Sequence, residues 1–521
     1  MTKKKTYGKF NTWLLPVIAF LCIVIFLGLK VDNNPNKYKK LKILTKVLRL
    51  LDEQYVEDVD FDSLVEGAIS GMISTLDPHS AYINKNDFQK SSEEFDGEFE
   101  GIGIEFSIID DYITVMTPII DGPSYKAGIQ AGDKIVKING ESAYQIKTSD
   151  VVKKLKGPKG TQVTITIKRG NEDPFERTLI RDKIPIKSVV SYFNLDDNVG
   201  YIKLSRFSKK TISEFITAFE ELEKNGMDKL LIDLRNNPGG LLDQAVSMLD
   251  MFISSNDTLL YTKGRIYGSN EVFKDSPQFI NKKIPIITII NRGSASASEI
   301  VSGAFQDLDR GLVIGETSFG KGSVQRQYEL DDSTATRITI AKYYTPSGRS
   351  IQRSYASGKD EYYLDLNSDN RELTDSTKNL KPQFKTRKGR TVYGGGGITP
   401  DIYFKDTTVI SKPTLELLYN SNRPIFNYAI TLKSSFDTNT DFDEFSLKNN
   451  FYEFIDWLDE KDYEYNKDSI EKDWDLIETR IVAEIANQLF DRNQYYKKLI
   501  SNDIIVNEAI KHFEEAKALL N

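Results

Sequence analysis

Two stretches of this chain share one pattern, and it is the pattern of a parallel sheet. Leu230-Leu231-Ile232-Asp233-Leu234 is a short apolar run that passes through Arg235-Asn236-Asn237-Pro238-Gly239-Gly240 into helical spacing at Leu241, Ala245, Met248 and Leu249. Ile284-Pro285-Ile286-Ile287-Thr288-Ile289-Ile290 does the same, through Asn291-Arg292-Gly293-Ser294 into Ala297, Ile300, Val301 and Ala304. A run that short and that apolar reads as a strand covered on both faces, and the 3.6-residue period after the break reads as the covering helix. Alternation of this kind over 184–410 predicts an α/β core whose loops gather at the carboxyl ends of parallel strands, where open sheets place their sites.

Other regions follow different periods. Over 36–97, Leu44, Val47, Leu48, Leu51 and Tyr55, then Leu64, Val65, Ala68, Ile69, Met72 and Ile73, predict two amphipathic helices, closed by Leu76-Asp77-Pro78-His79-Ser80 and followed by a link over 93–101. Over 98–183 the chain turns to short strands around an Asn139-Gly140 hairpin signal, with a short helix at 150–155 and an edge-like strand at 162–168. The polar, glycine-rich stretch 354–397 reads as a long loop. From 411 to 521 helical spacing returns, at Trp474, Ile477, Ile481, Ile485 and Leu489 and at Ile505, Ala509, Phe513 and Ala516. An oligomerisation or partner surface is the expected role of that region.

Residues 13–29 carry no charge and are flanked by Lys3, Lys4, Lys5 and Lys9 before and Lys30 after. No small-x-small cleavage site follows, so the run reads as an uncleaved signal anchor within 1–35. The expected arrangement is a single-pass, membrane-anchored protein with an extracytoplasmic, periplasmic body.

Composition removes several chemistries. With 69 Lys and Arg against 76 Asp and Glu, the net charge of −7 suits neither a nucleic-acid binder nor an acidic disordered tail. One cysteine, Cys22, and two histidines, His79 and His512, leave no disulfide framework or thiolate site and little scope for an imidazole metal centre, so no metal or organic cofactor is expected. Catalysis here must proceed largely without imidazole. In Gly293-Ser294-Ala295-Ser296-Ala297-Ser298-Glu299 three hydroxyls lie at the start of a helix, where free N–H groups favour a developing anion; a serine there is equally an ordinary N-cap. A lysine can be the base if it is neutral, which means lowering its pKa from about 10.4 towards 7–8, about 4 kcal/mol of burial. Lys321, between Gly320 and Gly322, is the candidate, although a Gly-Lys-Gly turn can also be merely exposed. The segment from Gly315 to Lys321 imitates a phosphate-binding loop, but Gly322 replaces its Ser/Thr and a strand follows, so nucleotide binding is rejected.

Taken in order, Leu76-Asp77-Pro78-His79-Ser80, the β-rich module, Asp233-Leu234-Arg235-Asn236-Asn237-Pro238-Gly239-Gly240, the triple-serine loop, Gly320-Lys321-Gly322 and Tyr343-Tyr344-Thr345-Pro346-Ser347-Gly348-Arg349 resemble the carboxy-terminal processing peptidases, PDZ-containing Ser/Lys proteases, over roughly 40–405. The resemblance implies a multidomain α/β fold: a protease core related to the crotonase-like fold, an inserted PDZ domain, and helical regions at both ends. It makes Ser296 the nucleophile, Lys321 the general base and Gln325 the residue that orients it. Backbone N–H groups of Ala297 and of Gly239 or Gly240 become the oxyanion hole, and His79 is structural. Gly101, Ile102, Gly103 and Ile104 match the PDZ carboxylate-binding loop, with Val151, Val152 and Leu155 as pocket wall or as core. The expected function is a serine endopeptidase that captures apolar C-termini of extracytoplasmic proteins and forms an acyl-enzyme, with a homo-oligomer among the expected partners. The rival readings are an inactive PDZ scaffold or holdase and an acyl-CoA enzyme of the hydratase type.

Overall fold

The computed structural model describes residues 35–253, 256–276, 283–331, 333–368, 371–372, 380–436, 447 and 450–521. The chain divides into two units at Thr75/Leu76. In the first, the helices Pro35–Gln54 and Phe61–Ser74 form as their periodicity predicts. Asp60 caps the second through the Asp62 amide, and that helix buries none of its own residues. The apolar run 13–29 and Cys22 lie outside the described residues. Among those described, no helix is long and apolar enough to cross a membrane.

In the second unit a six-stranded sheet runs in the order Val189–Leu195, Val199–Leu204, Lys229–Asp233, Ile286–Ile290, Leu312–Gly315, Ile402–Tyr403. The first pair is antiparallel and the rest are parallel. Period-two alternation sends Leu230, Ile232 and Ile286 to one face, where the helices Thr211–Lys224, Leu242–Asp250 and Ala297–Asp307 cover them. Leu231, Ile287, Ile289 and Ile314 point to the other face. That face is covered by Ile505, Val506, Ala509, Phe513 and Ala516, from the short helices Ile504–Ile510 and Phe513–Ala518. The end of the described chain therefore packs on the core sheet. The preceding helices, including Phe451–Glu460 and Trp474–Leu489, have a hydrophobic core of their own.

A second sheet of five strands is built around the long strand Ala335–Tyr344, which pairs with Ala81–Ile83, Thr258–Gly264 and Ser323–Glu329. The β-rich module forms its own sheet, in the order Ile104–Ile109, Tyr112–Pro118, Lys134–Ile138, Gln162–Lys168, Phe175–Ile180.

Three local expectations need correction. Residues 93–101 are no link: Lys85–Asp96 is a helix, capped by Asn84 at its start and by left-handed Gly97 at its end, and Glu98–Gly101 is a strand. Gln162–Lys168 is not an edge strand but lies between Lys134–Ile138 and Phe175–Ile180, its Thr164 hydroxyl 2.9 Å from that of Thr178, because alternation reports which face is buried and not how many strands flank it. Within 354–397 a helix, Lys359–Leu364, and a hairpin, Gln383–Lys385 with Thr391–Tyr393, interrupt the loop.

Candidate active site

The three serines of the 294–298 loop are treated differently by the fold. Ser294 and Ser298 are 0% exposed. The Ser294 hydroxyl donates to the Leu234 carbonyl at 2.8 Å and that of Ser298 to the Asn237 carbonyl at 2.9 Å. Ser296 is half-buried, and its hydroxyl donates to no group among the described residues. Its backbone, at φ 55° and ψ −113°, is strained for a residue with a side chain, at a cost of about 1–3 kcal/mol that its surroundings must hold in place.

Glu299 and Tyr343 do the holding. Glu299, one turn into the helix and fully buried, accepts through Oε2 from the amides of Ser296 (2.8 Å) and Lys321 (2.9 Å). Its Oε1 accepts from the Gly320 amide (2.7 Å) and the Ser318 hydroxyl (2.5 Å). Burial pushes the carboxyl pKa up, while the amides and hydroxyl converging on it favour the ionised, acceptor-only form. The buried Tyr343 hydroxyl lies within hydrogen-bond distance of the Ser296 carbonyl (3.1 Å) and the Lys321 carbonyl (2.5 Å). One carboxylate and one phenol thus fix the main chains of Ser296 and Lys321 to each other.

Burial first and the Arg337 guanidinium second lower the Lys321 pKa to about 8, against the pull of Glu299 and Asp77. Its ammonium makes no ion pair among the described residues. Gln325 does not reach that ammonium: its Nε2 donates to the main-chain carbonyl of His79. The His79 ring is 3.0 Å from the Tyr362 hydroxyl through Nε2, and burial together with nearby Lys321 pulls its pKa down to about 4, so it is neutral at physiological pH. Tyr362 comes from the short helix inside the 354–397 stretch. Arg371, from the same stretch, donates to the Ser318 carbonyl at 2.5 Å.

The glycine loop 235–240 lies against the serine. A Cβ on Gly239, which has φ +93°, would fall 2.6 Å from the Ala295 carbonyl oxygen and 2.7 Å from the Ala297 nitrogen, so only glycine permits this approach. The Gly239 amide is occupied, donating to Asn237 Oδ1 at 2.9 Å. Phe207 bonds to the residues on either side of Gly240, which turns the Gly240 amide away from that bridge. Ala297 is the first residue of its helix, where an amide has no intrahelical acceptor.

In the β-rich module Gly101, Ile102 and Gly103 precede Ile104–Ile109, which is at the edge of its sheet. The Ile102 and Gly103 carbonyls are taken by the amides of Ser124 and Ile119. Val151 and Leu155 belong to the module's core, whereas Val152 is 36% exposed. Among the described residues no group of His, Cys, Asp or Glu is arranged to hold a metal ion.

Sequence reasoning gave no role to Glu299 or Tyr343. Glu299 was findable, since Ser-x-x-Glu ahead of an apolar helix is a capping-box spacing. Tyr343 carries no local signal for this role, because the carbonyls it reaches, those of Ser296 and Lys321, lie in other loops earlier in the chain.

An α/β core with an accessible serine at a helix start, a buried lysine of lowered pKa and a separate β-rich module has the make-up of a serine-type peptidase with a PDZ domain. Comparison with known proteins agrees. Residues 198–358 match the model of peptidase family S41, 114–169 a PDZ domain, and 28–87 the activating protease CtpB N-terminal domain. A carboxy-terminal-processing protease of Bartonella bacilliformis is 41% identical over 337 residues, which is 63% of this chain and 76% of that protein. The carboxy-terminal processing protease CtpA of Bacillus subtilis is 36% identical, covering 62% of this chain and 68% of its own length. A solved photosystem II D1 C-terminal processing protease is 25% identical, covering 62% of this chain and 96% of that one, with a TM-score of 0.33. The chain belongs to peptidase family S41, the carboxy-terminal processing proteases.

Proposed function

We propose that the protein cleaves peptide bonds through a Ser296/Lys321 dyad and an acyl-enzyme. The observation that carries this is the contrast among the three serines: two hydroxyls are buried and committed to the loop, and only that of Ser296 is available beside a lysine of lowered pKa. Neutral Lys321 takes the hydroxyl proton as Oγ attacks the scissile carbonyl. The amides of Ala297 and Gly240 then stabilise the oxyanion, with Gly239 as the spacer that lets the loop approach. Protonated Lys321 returns the proton to the leaving amine, and water releases the acyl group by the same route. Gln325 acts on this machinery through the His79 carbonyl.

Substrate enters by its C-terminus. The amide side of 101–104 suits a terminal carboxylate, and the open edge of Ile104–Ile109 suits an added strand, with Val152 against an apolar terminal side chain. The charge-free run 13–29 with lysines on both flanks supports a tether that leaves the body outside the membrane.

The test is degradation of an unfolded protein with an apolar C-terminus by the full chain, beside Ser296→Ala and Lys321→Ala. Both variants should retain the fold by circular dichroism and lose cleavage by at least about a thousandfold. Cleavage that persists in Ser296→Ala refutes the assignment.

A further inference from the structure

Arg235 opens the glycine loop and is one of its anchors, and what holds Arg235 includes a residue far outside the matched peptidase segment. Arg235 donates through Nε and Nη2 to the fully buried carboxylate of Asp233, at 3.0 and 2.6 Å. Asp233 also accepts from the Tyr201 hydroxyl (2.7 Å) and the Lys203 ammonium (3.2 Å). On its own this cluster has two cations and one anion in a nearly dry place. The second anion is Asp503, whose Oδ2 is 2.8 Å from Arg235 Nη2. Asp503 uses its other oxygen to cap the helix Ile504–Ile510, accepting from the amides of Ile505 (2.9 Å) and Val506 (3.0 Å).

The arrangement has an electrostatic logic. A helix start has a partial positive charge, and here it faces a guanidinium. Only a carboxylate between the two makes that approach favourable. Asp503 is itself fixed, since the neighbouring Asn502 donates to Thr479 at 2.8 Å. Asn493 pairs with both the amide and the carbonyl of Tyr192, each at 2.7 Å, at the edge of the core sheet.

We propose that Asp503 is a positioning residue for catalysis: by neutralising Arg235 it sets the glycine loop at the spacing from Ala297 that oxyanion binding requires. The proposal rests on the assignment of that loop to the oxyanion hole. It gives the C-terminal region a part in the chemistry.

The test uses the full chain. Asp503→Asn keeps a good N-cap and removes only the charge. It should lower kcat about tenfold with KM within about twofold, because an oxyanion contact acts in the transition state alone. Affinity for a peptidyl boronate should fall in step with kcat. Asp503→Glu should restore at least half of the lost rate. Since Asp503 acts through Arg235, the double variant Arg235→Gln/Asp503→Asn should be no slower than Arg235→Gln alone. Unchanged kcat, additive losses, a rise in KM alone, or a rate loss that merely follows the unfolded fraction overturns the proposal. If Ser296→Ala retains turnover in the same assay, the peptidase assignment fails instead, and the two failures are told apart.

Discussion

Two loops meet at Ser296, and they are fastened differently. The glycine loop is held at many points. Asn236 and Asn291 exchange amide bonds at 2.9 Å, Asn237 bonds to Leu204, Ala295 and Ser298, and Arg235 is ion-paired. The lysine loop has main-chain bonds of its own and Tyr343 and Arg371 on its carbonyls, but its Gly320 and Lys321 amides and its Ser318 hydroxyl converge, with the Ser296 amide, on one buried carboxyl, that of Glu299. Distributed contacts tolerate the loss of one member. A single carboxylate with no spare acceptor does not, because each donor it abandons is left unpaired in the interior.

The largest effect should therefore come from Glu299→Gln. The amide keeps the shape but replaces one acceptor oxygen with a donor, so either the Ser296/Lys321 pair or the Gly320/Ser318 pair of donors faces an NH2 group. We expect kcat to fall by about two to three orders of magnitude, because the reacting groups lose their register. A loss below tenfold would mean that Tyr343 alone suffices.

The next largest is pH dependence. As the proposed base Lys321 must be neutral, and its pKa lies near 8 rather than 10.5. Below that value log(kcat/KM) should rise by about one per pH unit, flattening above it, so that pH 6 is about a hundredfold slower than the plateau. The same depression affects stability. Between about 8 and 10.5 the unfolded chain binds the proton that the folded one has released, so this group's contribution rises with pH across that window and is absent below it. Arg337→Gln removes a repelling cation and should move the kinetic limb to higher pH.

The smallest should come from the well-fastened loop. Asn291→Ala removes its reciprocal pair with Asn236 and should reduce stability by about 1 kcal/mol and kcat less than fivefold, measured by thermal melting and initial rates. If it were as damaging as Glu299→Gln, the contrast between the loops would collapse.

The strand–loop–helix units are legible in the sequence because an apolar run and a glycine break are local signatures, whereas the roles expected of Ser296 and Lys321 come from the family resemblance. The helix Lys85–Asp96 was passed over although Asn84 and Gly97 mark both its ends, since its middle is polar and has little apolar period. The interior place of Gln162–Lys168 was misread because alternation shows which face is buried and not how many neighbours a strand has. Tyr343, Asp503 and the apolar side chains of 504–518 are illegible locally: their partners lie tens of positions away for Tyr343 and hundreds for the others, and helical spacing reveals a buried stripe without revealing what it is buried against.

That last packing has a consequence for how the molecule is made. During synthesis Ser296 leaves the ribosome well before residues 504–518, so the sheet face formed by Tyr201, Leu231, Ile287, Ile289 and Ile314 stays open in the nascent chain. An open apolar sheet in an unfinished chain is the state most exposed to misassociation. It also acts as a timer, since the core can close only after the whole intervening helical region has emerged.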